Sequence, residues 1–230
     1  MVKEHTVKAY DQELALLKSK ISEMAEEASQ QIARAIEALL NRDKRLAITV
    51  IFSDSDVNML QSEVDRLVVR ILAMRQPVAL DLRNVISASK IAAELERIAD
   101  YAANIAKHIS GLDMVSVEQP MESIVRMANL AREMLTDVID AYWHSKAAKA
   151  EEVWQRDELI NQIYAGLLAQ LHSFMQVDSE NIQTYTSLIF VARCCERIGD
   201  HIKNVAENVL YIQHGEIQED FFSFQKKIVA

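Results

Sequence analysis

The chain has 230 residues, half of them apolar, with only four Gly and two Pro and a formal charge of −9. So few turn formers among so many Ala, Leu, Ile and Glu argue for an all-α fold of long helices. The acidic balance disfavours a nucleic-acid surface, because neutralising phosphates needs clustered Lys and Arg.

The N-terminus, Met1 to Tyr10, is polar and has no apolar signal core, and no run reaches the roughly 18 apolar residues of a membrane span. A cytoplasmic protein is expected. The first helix is predicted over 8–41, where Leu14, Leu17, Ile21, Met24 and Ala28 step by three and four. A second is predicted over 43–75. Within it Thr49, Val50, Ile51 and Phe52 read as a strand in isolation, but the matching stretch of the second half, Glu152 to Gln155, lies in an Ala- and Glu-rich helical segment. Pro77 then breaks the pattern, and a third helix follows over 79–110 on the stripe Ile91, Leu95, Ile98, Ala102, Ile105 and Ile109. The segment Gly111 to Pro120 separates the halves. Three more helices are predicted over 119–143, 146–176 and 180–213, and Gly215 closes the last.

The halves are copies. Over residues 92–106 an offset of 100 gives seven identities, among them Glu96/Glu196, Arg97/Arg197, Ile98/Ile198, Asp100/Asp200 and Asn104/Asn204, where chance gives roughly one. Upstream the offset is 103, pairing Met24 with Met127, Asp54 with Asp157 and Asn58 with Asn161. The difference falls near Pro77, where an insertion costs little. The chain thus divides into a first three-helix antiparallel bundle at 8–111, a second at 119–215 and a tail at 216–230.

The repeated Glu-Arg-Ile-(Ala/Gly)-Asp places Glu96 and Asp100, and Glu196 and Asp200, one helical turn apart on a face away from the apolar stripe. That face is expected to be at the surface. Like charges at this spacing repel unless something neutralises them, so a cation is a candidate ligand. Counted from Pro77, Asp54 and Asp100 are 23 residues away on either side and Asn58 and Glu96 are 19 away. Equal counts mean equal height in an antiparallel hairpin. Asp54, Asn58, Glu96 and Asp100 are therefore expected to converge, as are Asp157, Asn161, Glu196 and Asp200. These all-oxygen sets suit Mg, Mn or Fe better than a structural zinc. The ordinary alternative pairs Arg97 and Arg197 with Asp100 and Asp200 and lets Ser53 to Asp56 cap a helix. Spacing alone leaves that alternative ahead, and the duplication narrows the gap.

No histidine has Glu three positions before it, so an oxygen-activating di-iron site is excluded. Phosphate loops, nucleophile elbows and zinc-protease motifs are absent as well. Cys194 and Cys195 read as small core residues, and His108, His144, His172 and His201, which share no motif, as structural or surface residues.

The two Glu-Arg-Ile-x-Asp elements, Asp54 to Asn58, and Arg75-Gln76-Pro77 followed by Asp81-Leu82-Arg83 together resemble the PhoU family from about residue 10 to 215. The resemblance implies two three-helix bundles and no enzyme activity. The implied role is negative control of phosphate uptake and of the phosphate-starvation response, as an adaptor between a phosphate-specific ABC transporter and a sensor histidine kinase. It also implies a homodimer and a divalent or trivalent metal (Fe, Mn, Mg or Zn) on Glu96, Asp100, Glu196 and Asp200 with Asp54 and Asp157; the tail's Phe221, Phe222 and Phe224 suggest an apolar contact either with a partner or with the bundle itself. Asn58 and Asn161 stand where the family pattern has Asp, and Ala99 where it has Gly, which should weaken such sites. Two further readings are a metal-dependent hydrolase built on the carboxylates and a purely structural scaffold.

Overall fold

The computed structural model describes residues 2–109 and 118–215, with side chains over 9–109 and 119–215. Its helices are α1 (Val2–Asn41), α2 (Lys44–Arg75), α3 (Ala79–His108), α4 (Glu118–His144), α5 (Ala147–Val177) and α6 (Ile182–His214). The described residues contain no strand, and Thr49 to Phe52 lie inside α2. None of these helices is long and apolar enough to cross a membrane. The segment around Gly111 and the tail carrying Phe221, Phe222 and Phe224 lie outside the described residues.

Local chemistry sets the helix ends. The α1–α2 turn places Arg42 in the left-handed region (φ 53°), and the amide of Asp43 reaches back to the Ala38 carbonyl at 2.9 Å. The α4–α5 turn repeats this at the matching positions, with Ser145 at φ 57° and Lys146 bonded to Ala141 at 3.0 Å. Such six-to-one closure satisfies the last carbonyls of a helix. The carboxylate of Asp43 also accepts from the Arg45 and Leu46 amides, which makes it the N-cap of α2. Ser53 to Asp56 are not a cap. They lie mid-helix, where Ser53 and Ser55 return their hydroxyls to the Val50 and Phe52 carbonyls.

The first hairpin is three residues longer than the second: its linker has two more residues, and α2 runs one position further than α5. Gln76, Pro77 and Val78 separate α2 from α3, whereas Asp178 alone separates α5 from the 3-10 turn Ser179–Asn181 that leads into α6. The offset therefore drops from 103 to 100 at that turn. Helix α6 starts two residues later than the sequence pattern indicates. The Asp178 carboxylate takes the Asn181 amide and the Tyr185 hydroxyl, both at 2.8 Å, and holds the entry tight.

Helices α1, α2 and α3 form one antiparallel bundle and α4, α5 and α6 a second, joined by α3 against α6 and α1 against α4. Helix α3 packs against α1, α2 and α6, so its buried residues run round most of its circumference: Ile91, Leu95, Ile98 and Ile105, with Ala88, Ala92, Ala99, Ala102 and Ala106 where a neighbour comes close. Each fully buried Ile or Leu contributes about 1.5–3 kcal/mol of transfer free energy, and Ile98→Ala would cost about 3 kcal/mol.

The seam between the bundles is antiparallel. The Arg83 Nε donates to the Ile212 carbonyl at 3.0 Å, Glu94 meets His201, and His108 stacks on Phe190 at 5.0 Å. On the other side, Arg132 Nε donates to the Ser29 hydroxyl at 3.3 Å. Ser29 and Arg132 are the same position of the two copies, so a local two-fold axis relating the bundles passes beside them.

Candidate metal centres

The hairpins bring together both predicted sets. In the first, Asp54 and Asn58 come from α2, and Glu96 and Asp100 from α3. Burial raises the Asp54 carboxyl above its ordinary value, and the neighbouring Asp100 raises it further. Burial also raises Glu96; Arg97 opposes this, and Asp100 and Asp54 add to it. Few cations reach these carboxylates. Arg97 Nε lies 3.6 Å from Glu96, and Lys107 is engaged with the Asn104 side-chain oxygen at 2.7 Å. The nearest donors are amides: Asn58 to Asp54 at 3.2 Å and Asn104 to Asp100 at 3.3 Å. The second oxygen of Asp54 is buried and has no hydrogen-bond donor.

In the second set, Asp157 and Asn161 on α5 face Glu196 and Asp200 on α6. Here every acid has a cation. Lys203 Nζ lies 3.4 Å from Asp157, Arg193 3.1 Å from Glu196, and Arg197 2.9 Å from Asp200. Lys203 is itself held, its ammonium 4.6 Å from the centre of the Trp154 ring, while the Trp154 indole donates to Glu207 at 3.1 Å. Helical periodicity does not reveal this arrangement, although the offset alignment shows the substitutions that build it: Lys203, Trp154, Glu207 and Arg193 stand where the first copy has Ala103, Ile51, Lys107 and Ala93.

The expected surface position needs correcting. Asp157 is only 2 % exposed. It is pressed between α5 and α6, and a Cβ on Gly199 would come within 2.9 Å of its Oδ1. Glu96 and Glu196 are also largely covered, with side chains 22 % and 13 % exposed. The physical reason is the hairpin itself: these residues lie on the facing sides of paired helices and point into the groove between them, where the partner helix covers them. Burial is accordingly the largest cause of the raised pKa values of Asp157 and Glu196. The ordinary alternative of an i, i+3 pair holds for Arg197 with Asp200.

Asn204 leaves the acidic face. Its amide crosses the seam to Glu94 at 3.0 Å, beside His201 Nδ1 on the same oxygen at 2.7 Å. Cys194 is buried, its thiol pushed up to about 11 by desolvation and then by Asp100, and Cys195 is fully buried. Both are core residues. Among the described residues no three His, Cys, Asp or Glu side chains enclose a point as one ion would require. A cation at the first cluster would have to draw its carboxylates together. The first donor set nevertheless fits a hard cation in its chemistry: three carboxylates, a buried oxygen without a donor, and little internal compensation.

The model of the PhoU domain matches this chain twice, over residues 21–109 and 124–209. A phosphate-specific transport system accessory protein PhoU homolog of Caulobacter vibrioides is 41 % identical over 217 residues, 93 % of each chain. The phosphate-specific transport system accessory protein PhoU of Escherichia coli is 36 % identical over 215 residues, covering 92 % of this chain and 88 % of its own. The crystal structure of the phosphate transport system regulatory protein PhoU from Streptococcus pneumoniae superposes with a TM-score of 0.85 at 30 % identity, covering 91 % of this chain and 99 % of that one. With two matched domains, six helices in two bundles and relatives aligned along nearly its whole length, the chain belongs to the PhoU family.

Proposed function

We propose that this chain is an accessory protein of a phosphate-specific transport system that restrains phosphate uptake and the phosphate-starvation response, linking the transporter to a sensor histidine kinase. The observation that carries the reading is the match along 93 % of the chain to a relative named for that accessory role. An adaptor needs surfaces more than a reaction centre, and the residues gathered here are carboxylates and their counter-ions rather than a nucleophile with its base. A hydrolase draws no support from relatives named as accessory proteins, and the chain is read as a non-enzyme acting in the cytoplasm. A homodimer, and the division into units at 8–111 and 119–215 with a separate tail, are part of the same proposal.

Within this reading, Asp54, Glu96 and Asp100, aided by Asn58, are the residues that would hold a hard divalent or trivalent cation. When bound, the ion supplies charge neutralisation between α2 and α3. The protein's part is to present oxygen ligands from both helices of a hairpin, so that loading alters the spacing and surface of the first bundle rather than sustaining the fold.

Capture of the chain from phosphate-replete and phosphate-starved cells tests the adaptor role. Transporter and kinase components should co-purify under at least the replete condition, and a strain lacking the chain should express phosphate-responsive genes in plentiful phosphate. Normal repression in that strain would sink the reading.

A further inference from the structure

We infer that Lys203 is a tethered counter-ion that takes the place of a metal in the second bundle, so that only the first of the two duplicated acidic clusters responds to a cation. The inference rests on the reading of the first cluster as a cation site and concerns what the second copy has made of the same scaffold.

Both clusters start from an identical problem. Two acids one turn apart on one helix, Glu96/Asp100 or Glu196/Asp200, face an Asp of the neighbouring helix, and partial burial in the shared groove raises the pKa of both glutamates. The first bundle meets this mainly with side-chain amides and leaves one buried Asp54 oxygen without a donor. The second bundle supplies positive charge from within. Lys203 reaches Asp157, the most buried acid of either set at 2 % exposure. Arg193 and Arg197 take Glu196 and Asp200.

The position of Lys203 is built. Its stem follows α6, its ammonium is held over the Trp154 ring, and the indole is oriented by Glu207. All three residues differ in the first copy, as Ala103, Ile51 and Lys107, so the unit is present in one half only. A metal ion at Asp157 would have to displace an ammonium already attached to the chain, whose effective concentration at the carboxylate is that of an intramolecular partner. The remaining Asp157 oxygen is likewise buried and without a donor, but it is turned against Gly199, where an added Cβ would come within 2.9 Å of it. Glu196 Oε2 has no hydrogen-bond donor, but Arg197 Nε lies 3.7 Å from it. The donor set of the second cluster therefore does not fit a cation.

The test uses the full chain and Mn2+ as probe, with binding followed by electron paramagnetic resonance and by quenching of Trp154 in a Trp143→Phe background. Saturable Mn2+ binding should be lost in Asp54→Asn and Asp100→Asn and unchanged in Asp157→Asn and Asp200→Asn, and Mn2+ should leave Trp154 fluorescence unaltered. Lys203→Ala should gain a second class of binding that quenches Trp154. Lys203→Met, which keeps an apolar stem over the indole, serves if the alanine variant does not fold. Wild-type binding that falls in Asp157→Asn or Asp200→Asn overturns the inference while leaving the cation reading of the first cluster intact. Failure of Lys203→Met to gain binding, with the first site functional, also overturns it. Absence of Mn2+ binding in every form would remove the cation reading itself, and this inference with it.

Discussion

The two acidic clusters occupy equivalent places in duplicated bundles and handle the same buried charge in different ways. The second is closed: Lys203, Arg193 and Arg197 each hold one of its acids. The first is open, with an Arg97 that only approaches Glu96 and a Lys107 held by Asn104. Desolvation of a carboxylate has to be offset by something, whether a chain cation, a proton or a bound ion. On the proposed reading the second half is fixed and the first adjustable, and the adjustable half is where a signal would enter.

Substitutions should separate the halves in proportion to how each is compensated. Lys203→Ala should have the largest effect, lowering unfolding free energy by about 2–3 kcal/mol, because it strands a buried carboxylate. Urea denaturation measures this, and a loss no larger than that of an average surface lysine would erase the distinction between the clusters. Next is Gly199→Ala. The new Cβ would meet Asp157 Oδ1 at 2.9 Å and Ile160 Cδ1 at 3.0 Å, so a cost of about 1–2 kcal/mol is expected. The reciprocal Ala99→Gly in the first bundle should cost about 1 kcal/mol through helix propensity. Thermal unfolding of the pair would show whether the tight α5–α6 approach belongs to the second half alone.

The smallest change is expected from Asp54→Asn, which should stabilise the metal-free chain at neutral pH by no more than about 1 kcal/mol, since it removes a charge that burial disfavours. The sign follows from the folded state. Asp54 and Glu96 sit above their ordinary pKa values, so ionising them as pH rises through that raised range costs stability, and acidification from neutrality relieves the cost. Asp140, held down at about 2 by Lys149 and Lys146, works oppositely, and its contribution disappears only on much stronger acidification. Asp54→Asn should therefore flatten the rise in stability that accompanies acidification from neutrality through the raised range. An unchanged slope would mean that the first cluster is not the source.

Most of the fold was legible because its signals are local. Leu17, Ile21 and Met24 announce their helix by spacing, and all three are fully or nearly fully buried. Pro77 and Gly215 mark ends where chain geometry leaves few options. The convergence of Asp54 with Asp100 was legible from counting alone, since an antiparallel hairpin converts residue number into height. Depth was not. Whether Asp157 faces water depends on how closely α6 approaches, and that turns on Gly199 and on Lys203 reaching back, neither of which has a periodic signature. Ser53 misled for a similar reason: a serine that caps and a serine that bonds its own helix look alike in sequence. The bond from Glu94 to His201 was out of reach, because it needs the register between bundles.

That bond has a consequence for the history of the chain. If the two bundles were still identical, the residue facing Glu94 across the seam would be the counterpart of His201, which is Tyr101. The counterpart contact on the far side of the axis would repeat it. Instead one side offers a carboxylate to an imidazole and an amide, while the other has Cys194 where Glu94 would recur. A homodimer must live with every substitution twice, once per subunit. Covalent fusion of the copies removes that constraint, and a carboxylate–imidazole contact set beside the axis on one side only is a kind of contact that becomes accessible once the two partners are inherited as a single polypeptide.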